Sequence, residues 1–209
     1  MKDINYIRFN IGFKLPRNIE QSTILLSKGI AKNKQPLFIL DGENFIPHVT
    51  IYAPEFPDHN INKVFDTMKK LSIDFDPITL IYSQIESHQG YIGVEFRYTP
   101  EINNIHKKIV TDLNSLRENH VREKYTQNNS YQMNFTNEQL SNIRKYGYPD
   151  AMSLYHPHLT LIRLKDEDIA LEISETLKWN FIDIKVKEIA IFRMGEHGTC
   201  TEIVETFPL

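Results

Sequence analysis

Apolar side chains fall on every second position near the start of the chain. The apolar set is Ile7, Phe9, Ile11 and Phe13, and the alternate set is Tyr6, Arg8 and Asn10. Because successive side chains of a strand point to opposite faces, this alternation predicts a half-buried strand. Its polar face, which includes Tyr6 and Arg8, is available to line a cleft.

The other periodic segments predict further strands and helices in a repeating order. The predicted helices cover residues 16–31, 61–71, 100–117 and 167–177, and Thr136 with Gln139 forms a capping box that opens another. The predicted strands cover residues 78–85 and 91–98, around a turn at Gly90, then 182–192 and a last strand that ends at residue 207. We expect "APEFPDHN", residues 53–60, to break the strand before it.

Residues 119–152 differ from the rest of the chain. They contain six Asn and four Tyr and few aliphatic residues. We interpret the segment as an inserted flap that is either a lid over a substrate or a disordered decoration. The elements before and after it follow a similar order, so we expect one domain over residues 1–209 that is built from two related halves. Its first half covers about 1–118, the flap about 119–152, and the second half about 153–209.

The composition is that of an ordinary globular protein. Of the 209 residues, 41% are hydrophobic and 24% are charged, and the formal net charge is −3. This balance argues against the basic surface that binds long nucleic acids tightly. Cys200 is the only cysteine, which excludes an intramolecular disulfide and a cysteine-rich metal cluster. No segment has the apolar run of a membrane span or a secretion signal, so we expect a cytoplasmic protein with no membrane partner.

Two short segments of the chain have the same form. "PHVT" occupies residues 47–50 and "PHLT" occupies residues 157–160, 110 positions later. A His followed two positions later by Thr is weak by itself, and 197–199 is an example that lacks the proline. With the proline required, the composition gives a chance expectation of roughly 0.04 copies. Two copies, each opening a predicted strand, indicate a shared role.

Each motif strand carries an imidazole and a hydroxyl on one face. His48 and Thr50 point one way and Val49 the other, and His158 and Thr160 repeat this parity. If the two halves are related by an approximate two-fold axis, the two pairs can face each other across a groove. Two imidazoles suit general acid and base catalysis near neutral pH, and hydroxyls can donate to anionic oxygens. The set fits in-line displacement at a phosphodiester without a metal ion.

The two motif strands resemble the defining pair of the 2H phosphoesterase superfamily, which includes bacterial RNA 2′,3′-cyclic phosphodiesterases once named 2′-5′ RNA ligases. The resemblance covers essentially the whole chain, and "VKEIAIFRMGEHGTCTEIVETFPL" at residues 186–209 is similar to the family's closing hairpin. It implies an α+β, bilobal fold with two pseudo-symmetric antiparallel sheets around a central cleft and helices outside.

The resemblance also implies roles for individual residues. His48 would be the general acid on the leaving oxygen, and His158 would be the base that activates water. Thr50 and Thr160 would bind the phosphate. Arg163, five positions after His158, matches an arginine that contacts substrate in the RNA phosphodiesterases. The implied reaction is metal-independent hydrolysis of a 2′,3′-cyclic phosphate or a related phosphodiester on an RNA end or a small nucleotide.

Several positions depart from that pattern. Ala53 stands in the first half where Arg163 stands in the second, and Cys200 lies where the family often has a tyrosine. Simple strand parity puts Arg163 on the face opposite that of His158, so its role needs a bulge or a strand end. Tyr52 shares the parity of His48 and either stacks on a base or fills the core.

Three other interpretations remain open at this point. A metal site is one, since His156 and His158 share a face and an acidic residue can complete the set. A binding module for nucleotides or RNA ends, without turnover, is another. RNA end joining, which uses the same groups in reverse, is the third. We expect a monomer that needs no metal and no cofactor.

Overall fold

The computed structural model describes residues 4–126 and 135–209, in which the chain forms ten strands and five α-helices. The strands are β1 (Tyr6–Lys14), β2 (Pro36–Ile39), β3 (His48–Tyr52), β4 (Glu55–Pro57), β5 (Ile78–His88), β6 (Tyr91–Phe96), β7 (His158–Leu164), β8 (Asp183–Val186), β9 (Glu188–Met194) and β10 (Cys200–Pro208). The helices are α1 (Arg17–Ala31), α2 (Ile61–Ile73), α3 (Pro100–Asn114), α4 (Asn137–Tyr146) and α5 (Glu167–Thr176).

All ten strands belong to one curled antiparallel sheet. Its order is β10, β9, β1, β3, β7, β6, β5 and β8, with β2 also paired to β7 and β4 to β1. The two motif strands, β3 and β7, lie side by side and are joined where Val49 pairs with Leu159. One path of hydrogen bonds therefore runs through both halves of the chain, where the sequence predicts two separate sheets.

Several helices begin and end at residues that the sequence marks. The side chain of Thr99 accepts a hydrogen bond from the backbone of Ile102 at the start of α3. The predicted capping box of α4 is confirmed, because Thr136 and Gln139 each bond the backbone of the other, at 3.1 and 3.0 Å. This helix ends at Gly147, whose φ of +68° is in the left-handed region that favours glycine. Among the described residues, no helix is both long and apolar enough to span a bilayer.

Three short strands differ from the sequence prediction. Residues 55–57 form β4 instead of a simple break, because the edge of β1 is open to pair with them at Tyr6 to Arg8. The single strand predicted over 182–192 is two strands separated at Lys187. Its first part pairs with β5 and its second part with β1 and β10, so the chain changes partners there. Strand β2 was missed, since four residues are too few to show a period.

The core lies between the sheet and the helices. Helices α1, α2, α3 and α5 pack against β7, β10, β3 and β5, respectively. Val49, Ile51, Leu159 and Leu161 of the motif strands are fully buried in the main apolar cluster. The residues that alternate with Val49 and Leu159 point to the other face of the sheet, where they line a cleft.

The described part of segment 119–152 packs against the first half, and residues 127–134 of the predicted flap lie outside the described residues. The hydroxyl of Tyr52 donates to the Tyr146 carbonyl at 2.6 Å. The buried guanidinium of Arg117 donates to the carbonyls of His120 and Lys145. Buried polar side chains of the first half therefore hold the backbone of this segment by hydrogen bonds. Its described part is packed on the domain, which argues against a disordered decoration there.

His106 is a further anchor, and it is held in the neutral form. Its Nδ1 donates to the Ile51 carbonyl at 2.8 Å, and its Nε2 accepts from the backbone N–H of Met152 at 2.9 Å. The ring is fully buried and stacks on Tyr155, with centroids 3.9 Å apart. Burial lowers the pKa of His106 from 6.5 to about 4. Protonation at Nε2 would also break the bond from Met152.

We therefore expect the free energy of unfolding to fall as the pH drops from about 6.5 to about 4. In that window the unfolded state binds more protons than the folded state, and the loss from His106 is on the order of 3 kcal/mol. Urea unfolding at a series of pH values measures it. His48 contributes in the same window, so His106→Gln should flatten the dependence only in part, while the exposed control His88→Gln leaves it intact. An unchanged slope in His106→Gln would contradict this account.

Candidate active site

The two predicted His and Thr pairs meet on one face of the sheet. Because β3 and β7 are antiparallel and Val49 pairs with Leu159, His48 lies opposite Thr160, and Thr50 lies opposite His158. The two imidazoles are thus diagonal neighbours on adjacent strands, with Cα atoms about 7–8 Å apart in regular geometry. All four side chains line one cleft of about 590 Å³.

Each imidazole is oriented by a carbonyl two residues earlier in the chain. The Nδ1 of His48 donates to the Ile46 carbonyl at 2.8 Å, and the Nδ1 of His158 donates to the His156 carbonyl at 3.1 Å. Since a carbonyl can only accept, Nδ1 carries the proton in both rings. The atom left for proton exchange in each ring is Nε2.

Burial makes both imidazoles poor at holding a second proton. Burial, with a smaller contribution from the charge of His158, lowers the pKa of His48 from 6.5 to about 4. Burial also lowers the pKa of His158, as does the neighbouring ring of His156. Both rings are therefore neutral at pH 7 in the free protein, ready to accept a proton from a ligand or from water.

The same irregularity in pairing follows both motifs. Opposite β1, the register moves from Thr50 paired with Gly12 to Tyr52 paired with Ile11, so Ile51 is an extra residue. The bulge moves Tyr52 to the core face, where it is fully buried. The prediction that Tyr52 shares the face of His48 is therefore wrong, because strand parity does not continue across a bulge.

The second bulge has the opposite consequence for Arg163. Opposite β6, the register moves from Thr160 paired with Gly93 to Ile162 paired with Ile92, and then Arg163 pairs with Tyr91. Glu95, Gly93 and Tyr91 alternate along β6 and all line the cleft, so Arg163 belongs to the face of His158. The bulge that the predicted role requires is present.

Arg163 does not line the cleft itself but contacts two residues that do. Its guanidinium lies 4.5 Å from the ring centre of Tyr91, and its Nη1 is 3.4 Å from Nδ1 of His197. Its Nε donates to the Gln89 carbonyl at 3.2 Å. Tyr91 and His197 line the cleft, and Arg163 packs against their sides that face away from it.

Of the two cleft residues proposed from the first strand, only one lines the cleft. Arg8 lines the cleft. Tyr6 does not line it but stacks on His120, with ring centroids 3.6 Å apart. Sequence reasoning passed over Asn10, which is buried and donates to Oγ1 of Thr50 at 2.7 Å. The odd and even alternation of β1 marked Asn10 as cleft-facing, but nothing in the sequence linked it to Thr50.

Other cleft residues come from the segment after α3, where sequence reasoning assigned no site. Arg122, Lys124 and Tyr125 line the cleft from one end, near Arg8. Over residues 117–150 the charges nearly cancel, which concealed that two of these cations point inward. Single residues within an irregular segment have no periodicity from which a direction can be predicted.

A metal ion also has donors here. Glu95, His156 and His158 each offer a ligand atom, and these atoms lie within 4.8 Å of one another. Nδ1 of His156 is 3.4 Å from a Glu95 carboxylate oxygen, and this hydrogen bond raises the pKa of His156. Glu95 is the acidic residue that the sequence left unassigned. One histidine pair with one carboxylate is a donor set that zinc accepts.

Cys200 is close to the site but unreactive. Its Sγ lies 3.4 Å from Nε2 of His48, and the thiol is buried. Burial holds the pKa of the thiol well above its usual value, so it stays protonated and acts as a weak donor.

A model of the protein family described as "Protein of unknown function (DUF1045)" matches residues 52–200. The match covers more than half of the chain and includes the second motif. No curated protein is significantly similar to the chain in sequence.

Solved structures share the fold. The E. coli LigT structure complexed with NADP+ superposes with a TM-score of 0.55 at 12% identity, covering 97% of each chain. LigT complexed with phosphate gives 0.53 at 13% identity over 98% of each chain. A protein named phosphoesterase gives 0.53 at 11% identity, over 98% of this chain and 96% of the other. The resemblance to the 2H phosphoesterases is confirmed at the level of the fold.

Proposed function

The chain belongs to the DUF1045 family of proteins of unknown function, and we propose that it is a phosphodiesterase that hydrolyses a 2′,3′-cyclic phosphate or a related phosphodiester. The observation that carries this proposal is the crosswise arrangement of His48, Thr160, Thr50 and His158 in one cleft. The LigT structures that share the fold hold phosphate, NADP+ or 3′-AMP, which supports a nucleotide-like substrate.

The proposed reaction is an in-line displacement at phosphorus. His158 accepts a proton from water at Nε2 as the water oxygen bonds to phosphorus. The bond from phosphorus to one ribose oxygen breaks, and His48 gives that oxygen a proton, which yields a phosphomonoester and an alcohol. Thr50 and Thr160 donate to the non-bridging oxygens. Asn10 fixes the Thr50 hydroxyl for this purpose.

The lowered pKa values of the two imidazoles require one further step. His48 is neutral in the free protein, so it must gain a proton before it can act as an acid. A bound phosphate anion stabilises an imidazolium beside it and raises its pKa. The acid therefore takes up its proton together with the substrate.

The two halves are proposed to be related by an approximate two-fold axis within a single bilobal catalytic domain over residues 1–209. Both motif histidines donate to the carbonyl two residues earlier, and both motifs precede a bulge. Gly12 and Gly93 lie opposite the two threonines. A Cβ on Gly12 would lie 2.8 Å from the Val49 carbonyl oxygen, and one on Gly93 would lie 3.3 Å from that of Leu159.

A substrate panel tests the proposed function. Cyclic mononucleotides, oligonucleotides with 2′,3′-cyclic ends and cyclic dinucleotides are incubated with the protein, and phosphorus NMR follows each phosphodiester signal. We expect at least one 2′,3′-cyclic phosphate to become a monoester, at an equal rate with and without EDTA. Binding without conversion would favour the binding module.

Loss of activity with EDTA would favour a metal centre at Glu95, His156 and His158. Formation of longer oligonucleotides at high concentrations of RNA ends would favour end joining. The control is the protein in which both His48 and His158 are replaced by alanine, which should leave every signal unchanged.

A further inference from the structure

Three cationic side chains meet at one end of the cleft. Arg8 comes from β1, and Arg122 and Lys124 come from the segment that follows α3. Arg8 is more than 110 residues from the other two in the chain, yet the three lie close enough to perturb one another. Desolvation in the cleft, followed by the charges of Arg122 and Arg8, lowers the pKa of Lys124 to about 8. Burial and then the charge of Arg122 lower the pKa of Arg8.

The charges of Glu55 and Asp150 offset these cations only in part, because these two carboxylates act on three cations. Glu55 uses one oxygen for Nε of Arg122, at 3.1 Å, and the other for Nε2 of His120, at 2.9 Å. Asp150 lines the cleft but accepts from the side chain of Gln139 at 3.0 Å. In the part of the chain that the structure describes, Nε of Arg8 is buried and has no hydrogen-bond partner.

A buried donor without a partner and a group of mutually repelling cations are both costly to the free protein. A bound anion removes both costs at once. Tyr125 adds an aromatic ring under Lys124, with Nζ 4.5 Å from the ring centre, which holds the ammonium at the cleft wall. The arrangement is therefore organised for an anionic group, and not only for packing.

This cationic end lies a short distance from the catalytic residues. Asn10, which bonds Thr50, is two residues along β1 from Arg8. Two residues of a strand span about 6–7 Å. Arg8 therefore lies about the width of one ribose ring from Asn10, and so from the place proposed for the reacting phosphate.

We propose that Arg8, Arg122 and Lys124 bind a second phosphate of the substrate, one sugar unit away from the phosphodiester that is hydrolysed. The part of this inference that concerns the reacting phosphate rests on the proposed function. The second phosphate has two chemical sources: a 5′-phosphomonoester on a small nucleotide-like molecule, or the upstream phosphodiester of an RNA 3′ end.

Three probes separate these cases. They are adenosine 2′,3′-cyclic phosphate, the same compound with a 5′-phosphate, and the dinucleotide that carries the cyclic phosphate at its 3′ end. Affinities are measured by calorimetry in His158→Ala and again in His48→Ala, so that little probe is consumed during a titration and the result does not depend on the folding of one variant. We expect the 5′-phosphorylated mononucleotide to bind about 10–100-fold more tightly than the unphosphorylated one, because a charge-assisted contact contributes about 1.5–3 kcal/mol.

Lys124→Met and Arg8→Met, each added to the inactive protein, should reduce that ratio to about 1–3. The matched control is Lys185→Met, an exposed lysine of β8, which should keep the full ratio. If the dinucleotide binds as tightly as the 5′-phosphorylated mononucleotide, the source is an RNA end. If it binds like the unphosphorylated probe, the source is a phosphomonoester.

A ratio near 1 in the inactive parent, or no binding of either probe with a second phosphate, overturns the inference. Cleavage of the unphosphorylated probe by the wild type would then still support the proposed function. A high ratio that depends on Lys124, with no conversion of any probe, supports the anion site and refutes the hydrolase.

Discussion

Replacing either His48 or His158 by alanine is expected to lower turnover of a cyclic phosphate by about 10²–10⁴ while the fold stays intact. Each imidazole moves one proton in the proposed reaction, and water in the cleft is a poor substitute for a positioned base or acid. The loss corresponds to about 3–5 kcal/mol of transition-state stabilisation. In each ring only Nδ1 is bonded to the backbone, and the backbone pairing between β3 and β7 does not use either side chain, so alanine leaves the sheet intact.

Initial rates at saturating substrate measure this effect, and circular dichroism checks the fold. His88→Ala is the matched control, because His88 also lines the cleft but lies outside both motifs, and its rate should stay within a few fold of wild type. A wild-type rate in either motif variant would end the acid and base mechanism.

The pH dependence of the wild type gives a second readout of the same pair. One ring must be neutral and the other protonated, and kcat/KM reports the free protein. Burial lowers both pKa values below 6.5, and that of His48 to about 4. We expect a bell-shaped profile with its maximum below pH 6.5: the rate falls on the acid side as the base is protonated, and on the alkaline side as the acid loses its proton. A maximum above pH 7 would contradict this reading.

Replacing Arg117 by methionine is expected to reduce the free energy of unfolding by about 3–5 kcal/mol. The Arg117 side chain is fully buried, and Nε donates to Oδ1 of Asn114 at 3.2 Å. Its other nitrogens donate to the carbonyls of His120 and Lys145. Methionine fills a similar volume but leaves three partly buried oxygens without this donor, each at a cost of up to about 1–3 kcal/mol, less whatever water can replace.

Urea unfolding of Arg117→Met measures this loss. Arg144→Met is the matched control, since Arg144 lies on the exposed face of α4, and it should change the free energy of unfolding by less than about 0.5 kcal/mol. Equal stability of the two variants would show that the bonds of Arg117 are replaced by water. The loss should also weaken ligand binding at Arg122 and Lys124, because the chain that carries them is anchored by Arg117.

The sequence predicted the parts of the site that depend on local order. His48 and His158 each follow a proline and open a strand, and the two-residue period of a strand put Thr50 and Thr160 beside them. These features need only the residues themselves and the alternation of faces. Local sequence patterns likewise predicted the strands β5 and β6 and the start of α4.

The rest depended on the partner strand. The bulges turn Tyr52 into the core and Arg163 onto the cleft face, and they are set by pairing with β1 and β6. The residues of a single strand do not reveal with which partner, or in which register, it will pair. The joining of the two halves into one sheet rests on pairings between strands far apart in the chain, such as β1 with β9, β6 with β7 and β3 with β7, and their residues read as ordinary strand positions. Tertiary pairing, and not local propensity, decided each of these points.

The bridge between Val49 and Leu159 makes the geometry of the proposed catalytic pair depend on core packing. A slip of β7 by one residue against β3 would turn His158 and Thr160 into the apolar interior and bring Leu159 and Leu161 out to water. The hydrophobic effect that excludes this error therefore also aligns the two rings. Selection for a well-buried interior is enough to keep the two imidazoles aligned, and a misaligned protein would expose Leu159 and Leu161 to water and lose the proposed activity as well.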